Sequence, residues 1–344
     1  MGLLKNFNQP IIIAEISGNH GGSFEKAKAL ILESAKAGAD YVKLQTYKPE
    51  TITVEGKDSR FKIKSGLWEG YRLPELYAKA MTPWEWHRPL FEYAQEVGIA
   101  LFSSPFDESA VRFLEQEINP PMHKVASFEL NHFPMLKEIG ITGKPVIASV
   151  GVSTENEVFQ AIDCLMSSGC PEITLLHCVS EYPAKQEDFF ISEMPRIKEK
   201  FQTRFGLSDH SQGHLVAVTA TALGASVIEK HITLDREEHS IDGGFSMLPD
   251  EFAEMVNAVR STVNILGCHG KSKEVSKESA FFKRSILVSK DIKAGDSLSQ
   301  ENIRIARPGD GLCPSHWEKV LGKRVLRNLC VGHPLSLEDI NTLN

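Results

Sequence analysis

Eight times between Ile11 and Glu229 a short run rich in β-branched residues gives way to a stretch of helical periodicity, and this alternation constrains the fold more than any other feature. The runs fall at Ile11–Glu15, Tyr41–Gln45, Ile99–Ser103, His123–Ala126, Pro145–Ser149, Glu172–His177, Arg204–Leu207 and Ser226–Glu229. Between them, 23–37 reads as a helix capped by Ser23, with Ala27, Leu30, Ile31 and Ala35 as its apolar stripe. Thr154 caps a second helix that ends at Ser167. Eight βα units within about 260 residues predict a TIM (β/α)8 barrel. A doubly wound open sheet is the competing arrangement, but no GxGxxG turn follows the first run. The stretch Lys48–Pro74, rich in Lys, Gly and Glu, reads as a loop over the barrel mouth.

In such a barrel the carboxyl ends of the strands carry the chemistry, and every predicted end is polar. They bear Glu15 with Asn19 and His20, Lys43 with Gln45, Ser103 with Ser104, Lys124 with Ser127, Ser149, His177 to Ser180, Ser208 with His210, and Glu229 with His231. Strand side chains alternate between faces, so Ser208 and His210 share one face and Glu229 and His231 share another. Two histidines ending neighbouring strands, with carboxylates beside both, suggest a divalent metal between them; either one alone is as readily satisfied by a backbone group. Lys43 and Lys124 stand in largely apolar strands, where an unpaired cation is expensive, so an anion must face them. With Ser104, Ser149, Ser180 and Ser208 they predict a phosphate or carboxylate pocket.

The 344 residues exceed one ordinary domain, which predicts a barrel domain at 1–266, a polar linker at 267–280 and a small β-rich domain at 281–344. That last part carries a faint repeat, 292–299 against 329–336. Between its halves, Arg307 sits before Pro308-Gly309, facing solvent or an anion. The formal charge of −7 argues against nucleic-acid binding and requires a local positive cluster for any anionic substrate. No apolar run is long enough for a membrane span and no signal peptide is apparent, so a cytoplasmic location is expected. Six cysteines without CxxC spacing predict reduced thiols.

The ordered series IAEISGNHGG, YVKLQTY, FSSPFD, HKVASFE, GKPVIASVG, LLHCVSEYPA, GLSDHSQG, IEKHIT and IDGGFS resembles the sialic acid synthase family over nearly the whole chain, and the tail resembles that family's antifreeze-like (SAF) domain. The stretches WEGYRLPELYAKAMTPWEWH, FSSPFD and KVASFE are most similar to its pseudaminic branch rather than to the neuraminate or legionaminate enzymes. The resemblance implies condensation of phosphoenolpyruvate with the open-chain aldehyde of a 2,4-diacetamido-2,4,6-trideoxyhexose. It implies that His210 and His231 bind Mn²⁺ or Mg²⁺, with Co²⁺ also admitted. Phosphoenolpyruvate would meet Lys43, Ser104, Lys124, Ser149, Ser180 and Ser208; the amino sugar would meet Glu15, Gln45, Tyr182 and Asp242; Ser127 would be a further substrate-binding residue. Glu229 or Asp242 would carry protons, and Arg307 would come from the other subunit of a domain-swapped homodimer. Two positions depart from the family pattern: Val150, where many members have threonine, and Ser180, where the neuraminate enzymes have asparagine. A non-catalytic carbohydrate-binding protein is the reading of another class; a rim of lysines, histidines and carboxylates argues against it, since sugar modules favour aromatic platforms and amides.

Overall fold

The computed structural model describes residues 9–236, 240–267 and 275–341. The chain divides into two compact units, Met1–Cys268 and His269–Asn344. Cys268 and half of the predicted linker lie outside the described residues; the other five cysteines are free thiols.

The first unit contains β1 (Ile11–Glu15), β2 (Tyr41–Thr46), β3 (Ala100–Pro105), β4 (His123–Val125), β5 (Val146–Ser149), β6 (Ile173–Cys178), β7 (Arg204–Asp209) and β8 (Val227–His231). Each strand pairs in parallel with the next, and β8 returns to β1, which closes an eight-stranded barrel and rules out the open sheet. Helices between the strands cover its outside, as the 3.6-residue stripes dictate. Ser23 caps Phe24–Lys36 by accepting from the Lys26 amide, and Thr154 forms a reciprocal capping box with Glu157 ahead of Glu155–Ser167.

Strand alternation sorts the side chains into two populations. Ile12, Ala14, Val42, Leu44, Leu207 and Ile228 point outward and pack with helix residues such as Leu30, Ile31, Leu90 and Phe252. Ile11, Ile13, Tyr41, Phe102, Met122, Ile147, Leu176 and Val227 fill the barrel interior. The inward position of β7 is Gly206, where an added Cβ would come within 2.5 Å of the Val227 carbonyl and 2.7 Å of Leu176, so this strand contributes backbone alone to the packed layer.

The stretch 48–74 is more ordered than its composition suggests. It contains the helical turn Pro49–Ile52, a 3-10 turn at Ser59–Phe61 capped by Asp58, and a bridge from Lys62 to Arg72 that leads into the helix Leu73–Ala80. The second unit pairs β9 (Ser285–Val288) with β10 (Ile303–Ala306) in antiparallel fashion. The two repeat halves meet there: Ile292 and Leu329, their first residues, exchange backbone hydrogen bonds of 2.8 and 2.9 Å. Ile286, Leu298, Val325 and Leu335 belong to its own apolar core. No described helix is long and apolar enough to cross a membrane.

Candidate active site

One step of the pleat above the packed interior layer, the same inward face turns polar on every strand. Ile13 is followed by Glu15, Tyr41 by Lys43, Phe102 by Ser104, Met122 by Lys124, Ile147 by Ser149, Leu176 by Cys178, Gly206 by Ser208 and Val227 by Glu229. Strand register then decides the neighbours. Glu15 lies beside Lys43 on one side and His231 on the other, and Ser208 lies between Cys178 and Glu229.

Lys43, Lys124, Ser149, Cys178, Ser208 and Glu229 floor a cavity of about 460 Å³ at the carboxyl face of the barrel, with Glu15 buried just outside its lining. Lys43 pairs with Glu15 and stands 3.8 Å from Glu229, while Lys124 stands 3.4 Å from Glu229 and donates to Ser149 Oγ at 2.8 Å. The anion predicted opposite the lysines is therefore supplied first by the protein itself, as two buried carboxylates. Gln45 Nε2 donates to Glu15 Oε1 at 3.2 Å, and Ser208 donates to Glu229 Oε1 at 3.1 Å. Burial raises the Glu15 carboxyl above its ordinary range despite Lys43. Burial pushes Glu229 the same way, but Lys124 and Lys43 outweigh it and hold this carboxyl low. The Lys124 ammonium, fully buried and close to Lys43, is lowered despite Glu229.

The two histidines face each other with ring centroids 5.4 Å apart, and Phe245 packs against both. His210 Nδ1 lies 3.0 Å from the Val179 carbonyl. A carbonyl only accepts, so Nδ1 carries the proton, and in the neutral ring the Nε2 lone pair is the one left for a ligand. His231 Nδ1 is buried without a hydrogen-bond partner, 3.8 Å from Asp242 Oδ2, and Glu229 Oε2 is likewise unpartnered. Among the described residues no three His, Cys, Asp or Glu groups converge closely enough to hold an ion unaided. Two imidazoles with neighbouring carboxylates fit a hard, open-sided divalent cation that takes its other ligands from water and substrate.

Ser127, Ser149, Ser180, Ser208, Gln45, Tyr182 and Asp242 all line the cavity. Ser104 is buried outside that lining and donates to the Lys124 carbonyl at 3.2 Å, which ties β3 to β4. Asp242 is set by Asn19, whose Oδ1 accepts from the Asp242 amide at 3.1 Å while its Nδ2 donates to the Ile232 carbonyl. Burial raises the Asp242 carboxyl. Arg307 belongs to the second unit, where it is exposed in the bend after β10.

Cys178 and Glu129 are among the lining groups outside the sequence-based selection. Cys178 lies 3.7 Å from His210 Nδ1; burial raises its thiol, but His210 outweighs burial and the net direction is down. Glu129 follows β4 with Oε2 out of water and unpartnered, and burial pushes its carboxyl up to about 7. The inward parity after Leu176 pointed to the first; nothing but its place in KVASFE marked the second.

Residues 30–271 match the model of the NeuB family, and residues 283–341 match the SAF domain. The chain is 43% identical over 339 residues to a pseudaminic acid synthase of Campylobacter jejuni, covering 97% of this chain and 98% of that one. It is 33% identical to an N,N'-diacetyllegionaminic acid synthase of the same species, over 92% and 96%. The crystal structure of an N-acetylneuraminic acid synthetase from Leptospira borgpetersenii superposes with a TM-score of 0.69 at 33% identity, over 79% of this chain and 90% of that one. The chain belongs to the NeuB family, and it is an enzyme of the phosphoenolpyruvate-dependent nonulosonic acid synthase type.

Proposed function

We propose that this enzyme is a pseudaminic acid synthase, condensing phosphoenolpyruvate with 2,4-diacetamido-2,4,6-trideoxy-altropyranose and water to give pseudaminic acid and phosphate. The observation that carries the reading is the higher identity to a synthase of that name, 43% against 33% for a legionaminic acid synthase of the same species, at near-complete coverage of both. Legionaminic or N-acetylneuraminic acid synthesis is the alternative.

In this reading Lys43, Lys124 and the hydroxyls of Ser127, Ser149, Ser180 and Ser208 hold the enolpyruvate carboxylate and phosphate, with Ser104 keeping Lys124 in place. Two buried lysines paired with two buried carboxylates leave the floor near neutral, so an incoming anion favours a protonated Glu15, consistent with its raised pKa. Gln45, Tyr182 and Asp242 orient the open-chain sugar so that its aldehyde carbon faces the enol C3, which removes the entropic cost of alignment. C3 attacks that carbon, water adds at C2, and the C2–oxygen bond to phosphate breaks. Glu229 and Asp242 are the candidate carriers of the protons these steps move. His210 and His231 would hold a divalent cation, Mn²⁺ or Mg²⁺, which when bound supplies Lewis acidity at the aldehyde oxygen. Arg307 is proposed to complete the site of the other subunit in a domain-swapped homodimer. A panel of diacetamido and monoacetamido sugars assayed for phosphate release tests the assignment; preference for the legionaminate or neuraminate precursor rejects it.

A further inference from the structure

The cavity joins a polar floor to a part of its lining that is mostly apolar. Its opposite wall comes from the stretch inserted after β2, whose helix Leu73–Ala80 turns Leu73, Leu76, Tyr77 and Ala80 into the cavity. These positions follow the i, i+3, i+4, i+7 spacing of an apolar helical stripe, which ordinarily seats on a protein core. Leu76 and Ala80 are largely buried, with Ala80 against Gly18 and Tyr77 against Tyr47, while Leu73 at the start of the stripe keeps intermediate exposure and Glu75 and Lys79 lie on the exposed side. Ile63 and Ile52 extend the same wall, and Trp68 is fixed in it by its Nε1 hydrogen bond to the Ile241 carbonyl at 2.9 Å and by its packing on Tyr182. Ile63 and Leu73 keep intermediate exposure among the described residues.

The reacting aldehyde has to meet the lysine and histidine floor, which sends the far end of the sugar chain toward this wall. We propose that the wall formed by Ile63, Leu73 and Leu76 selects the acceptor by receiving its C6 methyl and the methyl of its C4 acetamido group, and that it disfavours hydroxyls at those carbons. This rests on the pseudaminic reading above. Apolar walls discriminate in this way because a hydroxyl placed there loses water without gaining a partner.

Leu73→Gln and Ile63→Thr test it in the full-length enzyme, the second replacing a partly exposed side chain at little risk to folding. The readouts are kcat/KM for the 2,4-diacetamido-2,4,6-trideoxy sugar, the competitive inhibition constant of a 2-acetamido-2-deoxyhexose with free hydroxyls at C4 and C6, and KM for phosphoenolpyruvate. The expected result is a loss of about tenfold in the first, unchanged or tighter binding in the second, and no change in the third. Equal losses for both sugars, or no loss for either, overturn the wall's selective role. If the parent enzyme itself prefers the hydroxylated sugar, the pseudaminic reading falls and this inference with it; a parent that prefers the deoxy sugar while the variants keep its ratio rejects this inference alone.

Discussion

Lys124 Nζ lies 3.4 Å from Glu229 Oε1 across the barrel floor, with side-chain exposures of only 2% and 4%. Removing one member of such a pair leaves the other buried charge without its nearest partner, at up to about 3–5 kcal/mol, part of which Lys43, 3.8 Å from Glu229, offsets here. Lys124→Met is therefore expected to lower both stability and affinity for phosphoenolpyruvate, the latter by roughly 2 kcal/mol. Lys124→Met/Glu229→Gln should regain most of the stability and none of the activity. Denaturant midpoints and Michaelis constants read the two effects separately, and a single variant as stable as the parent would show the pair to be uncoupled.

His210 and His231 are expected to govern divalent-ion binding. Mn²⁺ titrated calorimetrically into the chelator-treated parent should bind, and His210→Ala and His231→Ala should each lose that binding while keeping their circular dichroism. Turnover should stop on chelation and return with Mn²⁺ or Mg²⁺. Undiminished Mn²⁺ binding in both variants would remove the ion from this place.

Acid should weaken the fold through His20 and His87. Burial lowers each to about 4, and both sit neutral in hydrogen bonds, His20 with Thr82 and His87 with Thr46. A histidine with a depressed folded pKa contributes fully above its unfolded value of 6.5 and loses that contribution as pH falls toward 4, about 2 kcal/mol each by pH 5. Glu129, raised to about 7, changes in the opposite sense, so the comparison must be made against a variant. Between pH 7.5 and 5 the parent should lose roughly 2 kcal/mol more than His87→Gln in urea unfolding. Equal losses would mean His87 is protonated in the fold.

Arg307 is expected to act in trans. An inactive Arg307→Ala chain co-refolded with an inactive His210→Ala chain should recover activity, because one site in each mixed dimer has both groups intact. Verified heterodimers without activity would assign Arg307 to its own barrel or to no site.

The barrel and most of its floor were legible because alternation is a local rule: once Ile13 or Tyr41 is assigned inward, Glu15 and Lys43 follow. Legibility failed where that rule stops. Asp209 and Lys230 belong to the same polar strand ends as Ser208 and His231, yet they take the other parity and pair with each other at 2.8 Å, fully buried. Glu129 lies in the 3-10 turn Ser127–Glu129, where parity no longer predicts direction. Cys178 was passed over because a lone cysteine in LLHC reads equally well as core. In 48–74 the abundant Lys, Gly and Glu masked the few apolar residues that face the cavity, and their common orientation depends on tertiary contacts no local pattern encodes.

The groups proposed for enolpyruvate chemistry are scattered over eight strands and pinned by barrel register, whereas the apolar wall comes from one contiguous insertion after β2. Drift in the insertion leaves the strands undisturbed. A lineage with this architecture can thus change its acceptor by rewriting a single stretch of gene, and barrels with near-identical floors can diverge in the sugar they accept.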